Sequence, residues 1–120
     1  MANPFTYLEL HSTDTARAKS FYTELFGWKS KDTAVPGFGT YTEIEMEEGP
    51  GAGLMAQQEP GGRSAWLAYI KVAKLDETVA RAQNLGASVL VPRTEIKDVG
   101  WFVILADPTG ARVGVFEQKR

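Results

Sequence analysis

The chain has no cysteine, a single histidine and no long apolar run. Without cysteine there can be no disulfide staple, no thiolate metal site and no cysteine nucleophile. That absence is compatible with a reducing cytosol. The longest apolar stretch, WFVILA (Trp101–Ala106), is far short of the ~20 residues that cross a bilayer. The opening MANPFTYLEL lacks the basic segment and apolar core of a secretory leader. No excess of one charge is present either: 13 Lys and Arg face 15 Asp and Glu, a net charge of −2. The basic residues are scattered and EIEMEE (Glu43–Glu48) is acidic, whereas nucleic-acid binding needs clustered cations to neutralise phosphates. The expectation is a soluble, cytoplasmic protein with neither a membrane nor a nucleic-acid partner.

With 120 residues, 43% hydrophobic and 23% charged, the chain is suited to one globular domain with a real core. The same order of elements is legible twice. Phe5–His11 alternates as a strand, Ser12 and Thr13 are candidate helix N-caps, and Asp14 complements the positive end of the following helix. Ala18, Phe21, Tyr22, Leu25 and Phe26 recur at helical spacing and predict a core-facing stripe, which Gly27 ends. Strands are expected from Lys29, from Phe38 to Met46 and from Ala52 to Gln57. After the connector QQEPGGR (Gln57–Arg63), a strand over Ala65–Val72 precedes a helix marked by Leu75, Val79, Ala82 and Leu85 and closed by Gly86. Further strands are expected from Ser88, Val99 and Ala111, with DPTG (Asp107–Gly110) as a type I turn. The fold class is α+β: two tandem βαβββ modules, residues 1–58 and 64–120 of a single 1–120 domain, whose mixed, twisted sheets curl to form a cleft.

Three segments, LHSTDTARAKSFYTELFGW (Leu10–Trp28), VAKLDETVARAQNLGA (Val72–Ala87) and LADPTGARVGVFE (Leu105–Glu117), carry a resemblance to the vicinal oxygen chelate superfamily. That group includes glyoxalase, bleomycin-resistance proteins and extradiol dioxygenases. The pattern of Asp, a helix bearing Phe-Tyr, and then Phe-Gly-Trp or Leu-Gly is characteristic of these proteins. So is Asp-Pro-x-Gly before a last strand ending in an acidic residue.

Metal-dependent members take four ligands, generally His or Glu, one from each of four strands. Carried over by spacing, these positions fall on Tyr7, Gly53, Leu67 and Gly114. Divalent cations need carboxylate or imidazole donors, and glycine and leucine have no side-chain donor. The resemblance therefore implies a member with a degenerate metal site, no metal and no cofactor. Glycines inside strands mark a close approach by something else or relieve curvature. Gly53 and Gly114 could thus widen the floor of a cleft for a flat ligand.

Period two places Tyr7, Glu9 and His11 on one face of the first strand. The equivalent face of the second module has Leu67, Tyr69 and Lys71, and Met55 and Phe116 follow the two glycines. These ten residues form the candidate ligand-binding set: an apolar, aromatic surface with a few polar groups to orient a small molecule. Glu9 and His11 are also candidate catalytic residues. Three roles are open to them: metal ligation, proton transfer by groups titrating near neutrality, and a structural part in which His11 is solvated and Glu9 pairs with Lys71. The functional expectation is a metal-free small-molecule-binding protein that sequesters or carries an aromatic or amphipathic ligand in the inter-module cleft. The alternative is a glyoxalase-like lyase, isomerase or dioxygenase, metal-dependent or using Glu9, His11 or Tyr7 as acid/base. A homodimer is implied by the resemblance.

Overall fold

The computed structural model describes residues 3–37 and 39–120. Its elements are β1 (Phe5–Ser12), α1 (Thr15–Phe26), β2 (Lys29–Val35), β3 (Gly39–Glu45), β4 (Gly51–Ala56), β5 (Ala65–Lys71), α2 (Leu75–Asn84), β6 (Ser88–Ile96), β7 (Gly100–Ala106) and β8 (Arg112–Gln118). This is βαβββ twice, as the pattern predicts. Phe38, where the third strand was expected to begin, lies outside the described residues, and Met46 falls just past the strand's end. No helix among the described residues is long and apolar enough to cross a membrane.

Two compact units emerge, Tyr7–Leu67 and a second made of Ala68–Arg120 with the segment ending at Thr6. In the first, the strand order is β2-β3-β4-β1, with β1 parallel to β4 and the other pairs antiparallel. In the second it is β5-β8-β7-β6, again with one parallel pair, β5 and β8. Each parallel pair needs a crossover because a tight hairpin can join only antiparallel strands.

The second unit has a core of Val72, Leu75, Val103, Leu105 and Val115, with Leu75 wholly buried. Its helix starts without a side-chain cap from Lys74. Instead the Leu75 N–H donates to Glu117 Oε1 at 2.8 Å. The acidic residue next to the end of the last strand therefore neutralises the positive end of α2. The DPTG turn closes as expected, with Gly110 N–H donating to the Asp107 carbonyl at 2.9 Å.

In the first unit Leu10, Thr42, Ile44, Ala52 and Leu54 are buried, and α1 packs on β4. Two sequence expectations need correction here. Asp14, rather than Ser12 or Thr13, is the N-cap of α1, accepting from the Arg17 N–H at 3.1 Å, while Ser12 Oγ accepts from the Asp14 N–H. The predicted core stripe of α1 is also misplaced. Phe21, Leu25 and Phe26 are 57, 59 and 57% exposed, and no α1 residue is fully buried. The sheet-facing line is Ala18, Lys19, Tyr22 and Thr23, which are half-buried. Phe21 and Leu25 lie about 100° of helix rotation away from that line. Gly27 does end the helix in the left-handed conformation, at φ 70°.

Candidate functional site

The first unit concentrates its polar chemistry on one face of β1. Alternation puts Tyr7, Glu9 and His11 on the same side, and the register sets Glu9 beside Gly53 and His11 beside Met55. On the adjoining strands, Gly53 also pairs with Glu43. A continuous hydrogen-bonded line results. Tyr7 Oη lies 2.7 Å from Tyr41 Oη, Tyr41 donates to Glu9 Oε2 at 2.7 Å, and Glu9 Oε1 is 2.7 Å from His11 Nε2. Glu9 is buried, and Tyr7, His11 and Tyr41 are half-buried.

A carboxylate removed from water is costly unless its oxygens accept hydrogen bonds. Glu9 has a phenol on one oxygen and an imidazole on the other. Burial, more than anything else, pushes the Tyr7 hydroxyl up to about 12; the Tyr41 bond opposes the rise, and the Glu9 and Glu43 carboxylates add to it. Tyr41 moves in the same direction and further, from burial first and then from the Glu9 charge beside it. Both phenols stay protonated through the physiological range and are hydrogen-bond donors there.

Gly53 is what lets the phenols meet. A Cβ at this position would lie 2.0 Å from Tyr41 Oη and 2.3 Å from Tyr7 Oη. The space left by the missing side chain is filled by the protein's own tyrosines. In the second unit Gly114 does the same for Tyr69, its neighbour in register, whose ring atoms come within 2.2 Å of such a Cβ. The Tyr69 ring meets Phe102 edge-on at 6.0 Å. Leu67 and Tyr69 are buried, Phe116 is half-buried and Lys71 is exposed.

Tyr41 is absent from the sequence-derived site. It sits on β3, far from the first strand in sequence, and joins the network only through the pairing of β3 with β4. Its signal was the alternation Tyr41, Glu43, Glu45 opposite Thr42 and Ile44, which shows a shared face but not what that face meets.

The positions that the family resemblance assigns to metal ligands fit a metal poorly. Gly53, Leu67 and Gly114 have no donor side chain, and the space over Gly53 is taken by two phenols. Among the described residues no three His, Cys, Asp or Glu side chains cluster closely enough to hold an ion. What the first-unit arrangement offers chemically is a buried anion with two phenol donors and one imidazole in series. It can orient a polar group by hydrogen bonding or shift a proton along the line.

Relatives show where this chain belongs. CFP32 of Mycobacterium tuberculosis, whose name places it provisionally with the glyoxylases, is 35% identical over 95% of this chain and 45% of its own. The anthracycline biosynthesis protein DauV of Streptomyces sp. (strain C5) is 25% identical over 93% of this chain and 46% of its own. The chain thus spans about half the length of the curated relatives it matches. A glyoxalase/bleomycin resistance protein/dioxygenase superfamily member from Vibrio splendidus 12B01 shares the fold, with a TM-score of 0.67, 13% identity and coverage of 98% of this chain and 100% of the other. The glyoxalase-like domain pattern matches residues 7–116, almost the whole sequence, and the chain belongs to the glyoxalase-like domain family.

Proposed function

We propose that the protein is a metal-free small-molecule-binding member of this family, holding an aromatic or amphipathic ligand against the face of β1 and β4 that carries Tyr7, Glu9, His11 and Met55, with Tyr41 as a further contact and Gly53 seating the two phenols. The observation that supports this most is the line from Tyr7 through Tyr41 and Glu9 to His11. Fixed donors and acceptors beside apolar side chains are the common composition of a ligand site. Donor chemistry supports the metal-free part: three of the four inherited ligand positions have no side-chain oxygen or nitrogen. Leu67, Tyr69, Lys71 and Phe116 are the equivalent ligand-binding positions of the second module, with Gly114 seating the Tyr69 ring. The name of DauV, an anthracycline biosynthesis protein, favours a fused-ring aromatic ligand for this chain as well. The protein acts in this reading as a cytoplasmic homodimer.

The test is titration of the purified protein with a dihydroxyanthraquinone, followed by thermal shift, alongside elemental analysis. Binding unaffected by chelator and weakened about tenfold or more in Tyr41→Phe or Glu9→Gln is the expected result, since a buried bond to a charged group contributes about 1.5–3 kcal/mol. A stoichiometric metal held by protein side chains would refute it.

A second reading, acid–base catalysis, is favoured by one specific contact. The 2.7 Å approach of Glu9 Oε1 to His11 Nε2 is the pairing by which a carboxylate orients an imidazole and stabilises its protonated form. In that reading His11 accepts the substrate proton through its other ring nitrogen and Glu9 holds the ring. Turnover lost in His11→Ala, with ligand binding intact, would select it over the binding protein.

A further inference from the structure

The opposite side of the first unit holds a concavity that the Glu9 network does not use. A groove of about 290 Å³ is lined by Leu8, Trp28, Met46, Glu48, Pro50, Ala52 and Trp66. Leu8 and Ala52 adjoin Tyr7, Glu9 and Gly53 in sequence, so strand alternation places them on the other face of the sheet. Its two indoles are held in position by one residue of α1. The Trp28 ring stacks on Tyr22 at 5.7 Å with an interplanar angle of 10°. Trp66 meets Tyr22 edge-on at 5.5 Å and donates from Nε1 to Tyr22 Oη at 3.2 Å. Phe26 backs Trp28 at 5.1 Å. Even so, Trp66 is 41% and Leu8 36% exposed. These are walls fixed from behind and open in front.

Charge decides what could occupy it. Among the described residues, Glu48 is the only ionisable one that lines the groove, and none of the lining residues is basic. Glu48 ends the acidic run that also contains Glu43, Glu45 and Glu47. An anion would be repelled there, and a neutral hydrocarbon would gain nothing from the carboxylate. A cation next to indole gains from the ring quadrupole as well as from the carboxylate. We infer that this groove is a binding site for a hydrophobic organic cation, an alkyl- or arylammonium. Its charged head lies between Glu48 and the indoles, and its apolar body lies against Leu8, Met46 and Pro50. This site is independent of the Glu9 face and stands whether or not that face binds a ligand.

Tryptophan emission is the readout, since two of the three tryptophans line the groove. The probes are benzyltrimethylammonium, its uncharged isostere neopentylbenzene, and benzoate. Saturable quenching by the cation alone is expected, weakened about fivefold or more by Glu48→Gln and again by Trp66→Leu, and weakened by added salt. Glu48 is exposed and Trp66 partly so, and circular dichroism checks that both variants fold. Equal binding of the neutral isostere, or cation binding indifferent to Glu48→Gln, overturns the inference. So does a sedimenting dimer that Trp66→Leu dissociates and whose emission ignores all three probes, because a second copy then covers the groove.

Discussion

Replacing Gly53 by Ala perturbs the network at its tightest point. The new Cβ would sit 2.0 Å from Tyr41 Oη, 2.6 Å from Tyr41 Cζ and 2.3 Å from Tyr7 Oη, where ordinary contact needs about 3.5 Å. Both rings must retreat by an ångström or more. A 2.7 Å bond from Tyr41 to Glu9 does not survive that displacement, because side-chain contacts beyond about 3.5 Å are no longer hydrogen bonds. Losing a bond to a buried charge costs about 1.5–3 kcal/mol, and forcing an extra carbon into a packed region costs about 1–3 kcal/mol. Against this, Ala orders a strand more cheaply than Gly by about 0.5–1 kcal/mol. The net expectation is a destabilisation of about 2–5 kcal/mol. Urea unfolding should report it as a midpoint lowered by about 1–3 M at unchanged slope. In a Tyr7→Phe/Tyr41→Phe background the closest atoms are gone, so the same substitution should cost at least ~1 kcal/mol less. The ring carbon of Tyr41 remains close, so the penalty should not vanish. A loss below ~0.5 kcal/mol, or an identical cost in both backgrounds, would refute the view that Gly53 exists to seat the two phenols.

Two further outcomes follow from the same geometry. Tyr7 is protonated in the folded protein up to about 12, whereas an unfolded tyrosine ionises near 10. Its raised value contributes stability that is complete below about 10 and is lost as pH climbs from there toward 12. Tyrosinate absorbance should show a late-ionising fraction that Tyr7→Phe and Tyr41→Phe each reduce. A single transition near 10 would contradict the burial of both groups. Glu117→Ala should destabilise the second unit by about 1–2 kcal/mol by uncapping α2, with Glu117→Gln retaining part of it. Amide exchange at Leu75 is the check, and unchanged protection there would deny Glu117 that role.

Much of the scaffold was legible because it is local. Period-two and helical spacing, Gly27 and Gly86 after the helices, and the DPTG turn place the starts of all ten elements within a residue or two of those observed. The errors have a common origin. Phe21, Leu25 and Phe26 have the spacing of a core stripe, yet which part of an apolar arc meets the sheet depends on helix rotation about its axis, and the sequence does not contain that angle. Asp14 rather than Ser12 caps α1 because chain direction at the strand's end selects among neighbouring candidates.

The sequence by itself determined the twofold βαβββ order, the shared face of Tyr7, Glu9 and His11, and the lack of side-chain donors at Gly53, Leu67 and Gly114. Each of these depends only on residue type and near-neighbour spacing. Tertiary structure alone decided that Tyr41 bridges Tyr7 and Glu9, that Gly53 and Gly114 are filled by tyrosine rings instead of standing open, and that Trp28 and Trp66 flank one groove. Those facts depend on strand pairing between distant segments. A register offset of a single residue would have turned Tyr41, Trp66 and Tyr69 to the other face of the sheet.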